Sequence, residues 1–160
     1  MDIHGGRKRV VIENVKPELD YGRFPVKRVT GEKVTVEADV FADGHDSLAC
    51  EILFRRKEES RWNRRPMMFL VNDRWRSVFT VDEPGEYVYT LRAWIDAFET
   101  WRRDMIKKVG AGQDVSVDIL AGAELLEGAA IRAQDEDKAL FLDWAKALKS
   151  GRPLKERITL

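Results

Sequence analysis

The sequence predicts a mainly β protein: an antiparallel β-sandwich with a short helix near residues 97–108 and a C-terminal helical segment. Residues 33–40 and 48–54 alternate apolar and polar side chains, the period of a strand with one wet face. Further short, strand-like segments follow closely with turn residues between them, which is typical of sandwiches. Two later segments change to the helical spacing of apolar residues.

Three strands are predicted in the first third of the chain. Residues 9–15, RVVIENV, are short and β-branched, and they stop before Pro17. Because proline lacks an amide hydrogen, this segment is expected to be an edge strand. The two alternating segments flank residues 42–46, ADGHD, whose Asp-Gly step is typical of a tight turn. They are therefore expected to pair as a hairpin.

A second hairpin and a last strand are predicted farther along the chain. Residues 66–71 and 74–81 flank Asn72 and Asp73, two residues that tolerate the left-handed conformation of a tight connection. Residues 115–119, VSVDI, are apolar at every second position and are expected to form a seventh strand.

The type of sandwich is indicated by the segment DEPGEYVYTLRAWI. Asp82, Gly85 and Tyr87 are placed like the turn and the tyrosine that anchor a strand corner in immunoglobulin-like sandwiches. The predicted fold class is therefore an immunoglobulin-like antiparallel β-sandwich.

The first helix is predicted at about residues 97–108. Apolar side chains recur there at helical spacing, and Lys107 and Lys108 suit a C-terminal turn, where backbone carbonyls concentrate negative charge. Gly110 can cap the helix.

The second helix is predicted at about residues 135–150, between a run of acidic residues and Gly151. Its apolar stripe contains Leu140, Phe141, Trp144, Ala145 and Leu148. The chain offers only one other amphipathic helix for the stripe, the weaker segment 121–131. We expect the helix either to fold back on the sandwich or to pack against a second copy of the chain.

The charge balance argues against two classes of partner. The 160 residues include 28 basic and 28 acidic side chains, so no long-range field attracts nucleic acid or an anionic membrane.

No segment has the roughly 20 apolar residues that span a bilayer, and the first residues do not resemble a signal peptide. The single cysteine, Cys50, excludes an internal disulfide and suits the cytoplasm.

The sequence predicts no catalytic, cofactor or metal site. It contains no CxxC, HExxH, GxSxG or P-loop pattern, and no pair of acidic residues stands out for glycosidic chemistry. Cys50 alternates with apolar residues of its strand and is expected to be a buried thiol rather than a nucleophile. The only histidines are His4 and His45, and His45 is expected to bond within its own turn.

Tryptophans supply the candidates for sugar binding. Trp62, in the basic segment 55–65, and Trp75 are possible glucan contacts because aromatic rings stack on sugars. A solvated hairpin tip is the favoured alternative for the basic segment, since Glu58 and Glu59 interrupt its charge.

Three ordered segments carry a family resemblance: GRFPVKR at 22–28, VEADVFADGHD at 36–46 and AWIDAFETWR at 93–102. With the surrounding residues, from Arg7 to Gly128, they resemble the N-terminal domain of the α-1,4-glucan:maltose-1-phosphate maltosyltransferases.

The resemblance implies a parent enzyme of the α-amylase superfamily that transfers maltosyl units from maltose 1-phosphate to α-1,4-glucans with retention of configuration. Its catalytic residues belong to a barrel outside this chain, so the chain is expected to be a piece without activity. The resemblance also implies a sandwich at 7–120 and the start of a helical insertion at 121–160, both contributing to a homodimer. It therefore favours the second copy as the partner of Leu140, Phe141, Trp144 and Leu148. The alternative hypothesis is a stand-alone glucan-binding module.

Overall fold

A computed structural model describes residues 10–153 of the chain. These residues form seven strands and three helices. In chain order they are β1 Val10–Lys16, β2 Lys33–Ala42, β3 Leu48–Arg56, β4 Asn63–Pro66, β5 Met68–Phe69, β6 Arg74–Thr80, β7 Tyr87–Ile95, α1 Ala97–Gly110, α2 Ser116–Arg132 and α3 Asp135–Lys149. The described residues divide into two compact units, a sandwich unit that ends at Asp96 and a helical unit that begins at Ala97.

The strands form two antiparallel sheets, as predicted. The first has the order β1-β2-β6-β5 and the second the order β4-β3-β7. Alternate residues of β2 and β3 fill the core between them: Val34, Val36, Ala38, Val40, Cys50, Ile52 and Phe54. This confirms the predicted immunoglobulin-like antiparallel sandwich. In such sandwiches a four-stranded sheet faces a second sheet in which the third strand pairs with a late strand of the chain, as β3 pairs with β7 here.

The predicted pairing of β2 with β3 is wrong. β2 pairs with β1 and β6, whereas β3 pairs with β4 and β7, so the turn at 42–47 connects the two sheets. Both strands have one fully apolar face, and placing them in opposed sheets buries the two faces against each other. An Asp-Gly step turns the chain in either arrangement and does not distinguish them.

The second predicted hairpin is present, with a shorter first arm. β5 pairs with β6 through Phe69 and Trp75, and Asn72 and Asp73 both have left-handed φ angles, of 50° and 62°. The predicted strand 66–71 is interrupted at Met67, where the chain leaves the sheet of β4 and enters the sheet of β5. At the other edge of that sheet, β1 pairs only with β2 among the described strands, as expected for an edge strand.

The predicted strand at 115–119 is helical. α2 begins at Ser116, whose backbone N–H and hydroxyl both donate to Asp114 Oδ1, at 2.9 and 2.6 Å. Val115 and Ile119 lie four residues apart and are both buried, so these apolar residues satisfy the helical spacing as well as the alternating one. The predicted helices near 97–108 and 135–150 are confirmed as α1 and α3.

The core of the helical unit buries the stripe of α3 within the same chain. Ala145 and Leu148 are buried, and Phe141 and Trp144 pack half-buried against the same cluster. Its other members come mostly from α1 and α2: Met105, Val115, Ile119, Ala123 and Leu126. The weaker segment at 121–131, which lies in α2, therefore provides part of the surface against which the apolar stripe of α3 packs.

One close approach joins α1 to α2. The indole of Trp101 lies directly over Gly122, where an added Cβ would come within 2.1 Å of the ring. The Trp101 Nε1–H donates to the Asp118 carbonyl at 2.6 Å, and Lys108 Nζ lies 2.6 Å from Asp118 Oδ1. Only a glycine at position 122 permits this packing.

Candidate functional site

A cavity of about 290 Å³ opens in the sandwich unit beside the paired ends of β3 and β7. It also borders the point where the chain passes from β4 to β5. Most of its lining is apolar, with charged side chains among it: Leu48, Ala49, Cys50, Glu51, Arg64, Arg65, Pro66, Met67, Trp75 and Trp94. A largely apolar concavity with a few polar groups is the usual form of a small-molecule site.

Trp94 forms the exposed aromatic wall of the cavity. It stands opposite Ala49 on the outer face of the second sheet, and the residue remains 42% exposed. Because alanine is short, it leaves room beside the indole ring. The Arg92 guanidinium, two residues away on the same face, lies 5.8 Å from the ring centroid.

The polar groups of the cavity come from neighbouring strands. Glu51 stands opposite Arg92 in the pairing of β3 with β7, and the two side chains form an ion pair. Trp75 enters from β6 and is only 9% exposed. Among residues 10–153, its indole N–H has no hydrogen-bond acceptor. A buried donor without an acceptor is costly, but this nitrogen has almost no accessible surface and is closed to a ligand.

The structure does not bring the two predicted glucan contacts together. Trp75 lines the cavity. Trp62 instead packs under Arg55, whose guanidinium lies 4.8 Å from the centroid of the Trp62 ring. Arg55 is six residues along β3 from Ala49, which places the two sites roughly 20 Å apart. Trp94 was not among the candidates named from the sequence, because alternation alone does not tell which sheet face stays open.

Two tyrosines fix β7 within the sandwich. The Tyr87 hydroxyl accepts a hydrogen bond from the Glu83 backbone N–H at 3.2 Å, which is the strand-corner contact that the sequence indicated. The Tyr89 hydroxyl donates to the Pro17 carbonyl at 2.7 Å, and burial raises its pKa. β7 therefore presents Trp94 from a well-anchored strand.

The outer face of the first sheet carries a network of ion pairs. Arg74 bonds to Glu37 and Asp39 at 3.2 and 2.9 Å, and Arg76 bonds to Glu37 at 2.7 Å. The hydrogen bond from Arg76 lowers the pKa of Glu37, and those from Asn14 and Arg74 lower that of Asp39. These charges satisfy one another and offer no free group for chemistry.

Cys50 is a buried thiol, as predicted. Burial raises its pKa to about 11, and its Sγ lies 3.3 Å from Met67 Sδ. His45 is in the exposed turn after β2, and His4 lies outside the described residues. Within residues 10–153, no group of three His, Cys, Asp or Glu side chains is placed to hold a metal ion.

The four predicted dimer contacts differ in accessibility. Leu148 is fully buried in the helical unit, and Phe141 and Trp144 are half-buried against the same core. Leu140 is 43% exposed. A second copy could therefore reach Leu140 and the outer parts of the two aromatic rings, but not Leu148.

Comparison with known proteins identifies close relatives. The family model for α-1,4-glucan:maltose-1-phosphate maltosyltransferase, domain N/S, matches residues 8–160. The maltosyltransferase of Chlorobaculum tepidum is 51% identical over 146 residues, covering 91% of this chain and 22% of the relative. That of Myxococcus xanthus is 50% identical over 129 residues, covering 78% and 19%. That of Methylacidiphilum infernorum is 36% identical over 158 residues, covering 97% and 23%.

The chain thus spans about a fifth of the length of these relatives. Among the helices of the described part of the chain, none is long and apolar enough to cross a bilayer.

Proposed function

We propose that this chain is the non-catalytic N-terminal part of an α-1,4-glucan:maltose-1-phosphate maltosyltransferase. The chain belongs to the domain N/S family of these enzymes. The parent protein would transfer maltosyl units from maltose 1-phosphate to α-1,4-glucans in the cytoplasm. The family match over residues 8–160, in a chain a fifth as long as its relatives, is the observation that carries this proposal.

The pairing of β7 supports a role within a larger folded protein. Among residues 10–153, this nine-residue strand pairs with β3 on one side only. Its core-facing residues Tyr87, Tyr89, Leu91 and Ala93 are half-buried, whereas Cys50, Ile52 and Phe54 of β3 are buried. An unpaired edge of this length offers backbone groups to a further strand. We therefore expect additional polypeptide to complete the sheet.

A chimera tests the accessory role. Residues 8–153 would replace the matching segment of the Chlorobaculum tepidum relative, which is 51% identical to this chain. We expect the chimera to release phosphate from maltose 1-phosphate in the presence of glucan. The same relative without the segment should lose this activity, and the chain alone should show no release above a buffer control. A folded chimera without transfer would contradict the proposal.

We further propose that the helical unit contributes to a homodimer. Leu140 supports this, because it is, with Leu142, one of two exposed leucines on the mostly charged outer surface of α3. In analytical ultracentrifugation, Leu140→Glu should shift the chain from dimer to monomer with its helical circular dichroism unchanged. Lys146→Glu, at an exposed position of the same helix, is the matched control. If the unsubstituted chain is a monomer at tens of micromolar, dimerisation through α3 is contradicted.

A further inference from the structure

We propose that an apolar edge of the first sheet, residues 68–71, docks against a further domain of the same polypeptide that lies outside this chain. These four residues, Met68, Phe69, Leu70 and Val71, are called the edge patch below. That the patch is covered follows from its exposed side chains, and the choice of a tethered domain as the occupant rests on the proposed function.

The edge patch is an unbroken run of exposed apolar side chains. Met68 is 66% exposed, Phe69 56%, Leu70 38% and Val71 62%. Apolar residues on the surface of a soluble protein are usually scattered singly. A run of four without a charged residue indicates an interaction surface, because it would otherwise promote aggregation.

The patch is held in a fixed geometry by its contacts with β6. The Phe69 ring meets the Trp75 ring edge to face, at a centroid distance of 5.6 Å. The Leu70 N–H donates to the Arg74 carbonyl at 2.7 Å, and the Arg74 N–H donates to the Val71 carbonyl at 3.0 Å. The exposed side chains are therefore preorganised, and docking would cost little conformational entropy.

The patch includes an edge strand, since β5 pairs only with β6 among the described strands. Sheet edges are usually protected by charged side chains or by proline, which prevent pairing with other polypeptide. Residues 68–71 contain neither. This edge is distinct from the open edge of β7, which belongs to the other sheet. The first sheet therefore has its own edge that a further domain can cover.

The surroundings of the patch define the chemistry of the docking surface. Pro66 and Met67, which come directly before the patch, line the cavity described above together with Arg64. Arg64 is exposed and forms no ion pair among the described residues. We therefore expect the docking domain to present an apolar surface with a carboxylate that faces Arg64.

The area of the patch favours a tethered domain over a separate protein. Covering the exposed parts of its four side chains would bury roughly 400 Å², whereas a stable complex of separate proteins buries about 800 Å² on each partner. A domain on the same polypeptide needs less area, because the linker keeps it at a high effective concentration. This chain spans 22% of the Chlorobaculum tepidum relative, so most of that polypeptide is available to supply the docking domain.

A thiol introduced into the patch tests this docking. Val71→Cys is made in the isolated chain and in the chimera with the Chlorobaculum tepidum relative. The native Cys50 is buried, with a pKa raised to about 11, and therefore reacts slowly. We expect iodoacetamide to modify the introduced thiol at least about tenfold more slowly in the chimera than in the isolated chain. Peptide mass spectrometry assigns the modified site.

Further substitutions in the labelled chimera locate the contact. Phe69→Lys places a charge in the apolar interface and should speed the labelling at least about fivefold. Arg64→Glu should also speed it, whereas Arg64→Lys, which keeps the charge, should not. Val29→Lys, at a residue that is 73% exposed elsewhere in the sandwich unit, is the matched control and should leave the thiol protected. Circular dichroism verifies that each chimera is folded.

Several results would overturn the docking. They are equal labelling rates in the isolated chain and in an active chimera, protection that survives both Phe69→Lys and Arg64→Glu, or protection that is also lost in Val29→Lys. Protection of the isolated chain that grows with protein concentration would identify a second copy as the occupant instead. Failure of the accessory role gives a different result, a folded chimera without transfer, whose labelling rate still reports whether the patch is covered.

Discussion

The sandwich unit and the helical unit bury their cores by different means. In the sandwich, every second residue of a strand faces the opposed sheet, as Val36 and Ile52 do, so many side chains contribute to one core. In the helical unit, the packing of α1 on α2 depends on one indole over one glycine, Trp101 on Gly122. The sandwich core is therefore expected to respond in proportion to lost volume, whereas the helical unit should depend strongly on a single position.

The largest effect is expected from truncating the centre of the sandwich core. Ile52 is fully buried, so Ile52→Ala should lower the free energy of unfolding by roughly 2–5 kcal/mol. Ile52→Val, which removes one methyl group, should cost about 0.5–1.5 kcal/mol. Urea denaturation followed by circular dichroism measures both. Equal costs for the two variants would contradict a proportional response.

A smaller, position-specific effect is expected in the helical unit. Gly122→Ala places a Cβ against the Trp101 ring and should destabilise the unit by roughly 1–3 kcal/mol through overpacking. Gly128, in the same helix, has open space around it, so Gly128→Ala should stabilise by about 0.5–1 kcal/mol. Opposite signs in thermal denaturation would support the contrast. A stabilising Gly122→Ala would refute the close approach.

The smallest effect is expected from the ion pairs on the first sheet. The lowered pKa values of Glu37 and Asp39 mean that their stabilisation is present above the ordinary carboxyl range and is lost as pH falls through the lowered values. Arg74→Met should lower the melting temperature slightly at neutral pH, and the difference from the parent chain should narrow in acid. Lys146→Met, which breaks an exposed pair in α3, should show no such dependence. A constant difference at all pH values would assign the effect to packing of the arginine.

The sequence was most informative where one local rule decides the structure. Asn72 and Asp73 predicted the β5–β6 connection because only a few residues accept its backbone angles. It was least informative where two rules gave the same pattern. Val115 and Ile119 fit both a strand and a helix, and the apolar faces of β2 and β3 fit both a hairpin and two opposed sheets.

The candidate site required the structure for a related reason. Trp75 was identified from its residue type alone, but its burial and its N–H without an acceptor are properties of tertiary packing. Alternation along a strand does not tell which of its two sets of residues faces the core, so it does not decide on which sheet face Trp94 lies. Its role at the cavity follows from the register that sets it opposite Ala49.

The passage of the chain from one sheet to the other places two consecutive methionines in opposite environments. Met67 is 5% exposed beside the Cys50 thiol, and Met68 is 66% exposed. Since oxidation to the sulfoxide follows access of the oxidant to the sulfur, peroxide should modify Met68 rapidly and Met67 only when the two sheets separate. Peptide mass spectrometry of this pair would thus record the opening of the sandwich, with the largely exposed Met68 as an internal reference.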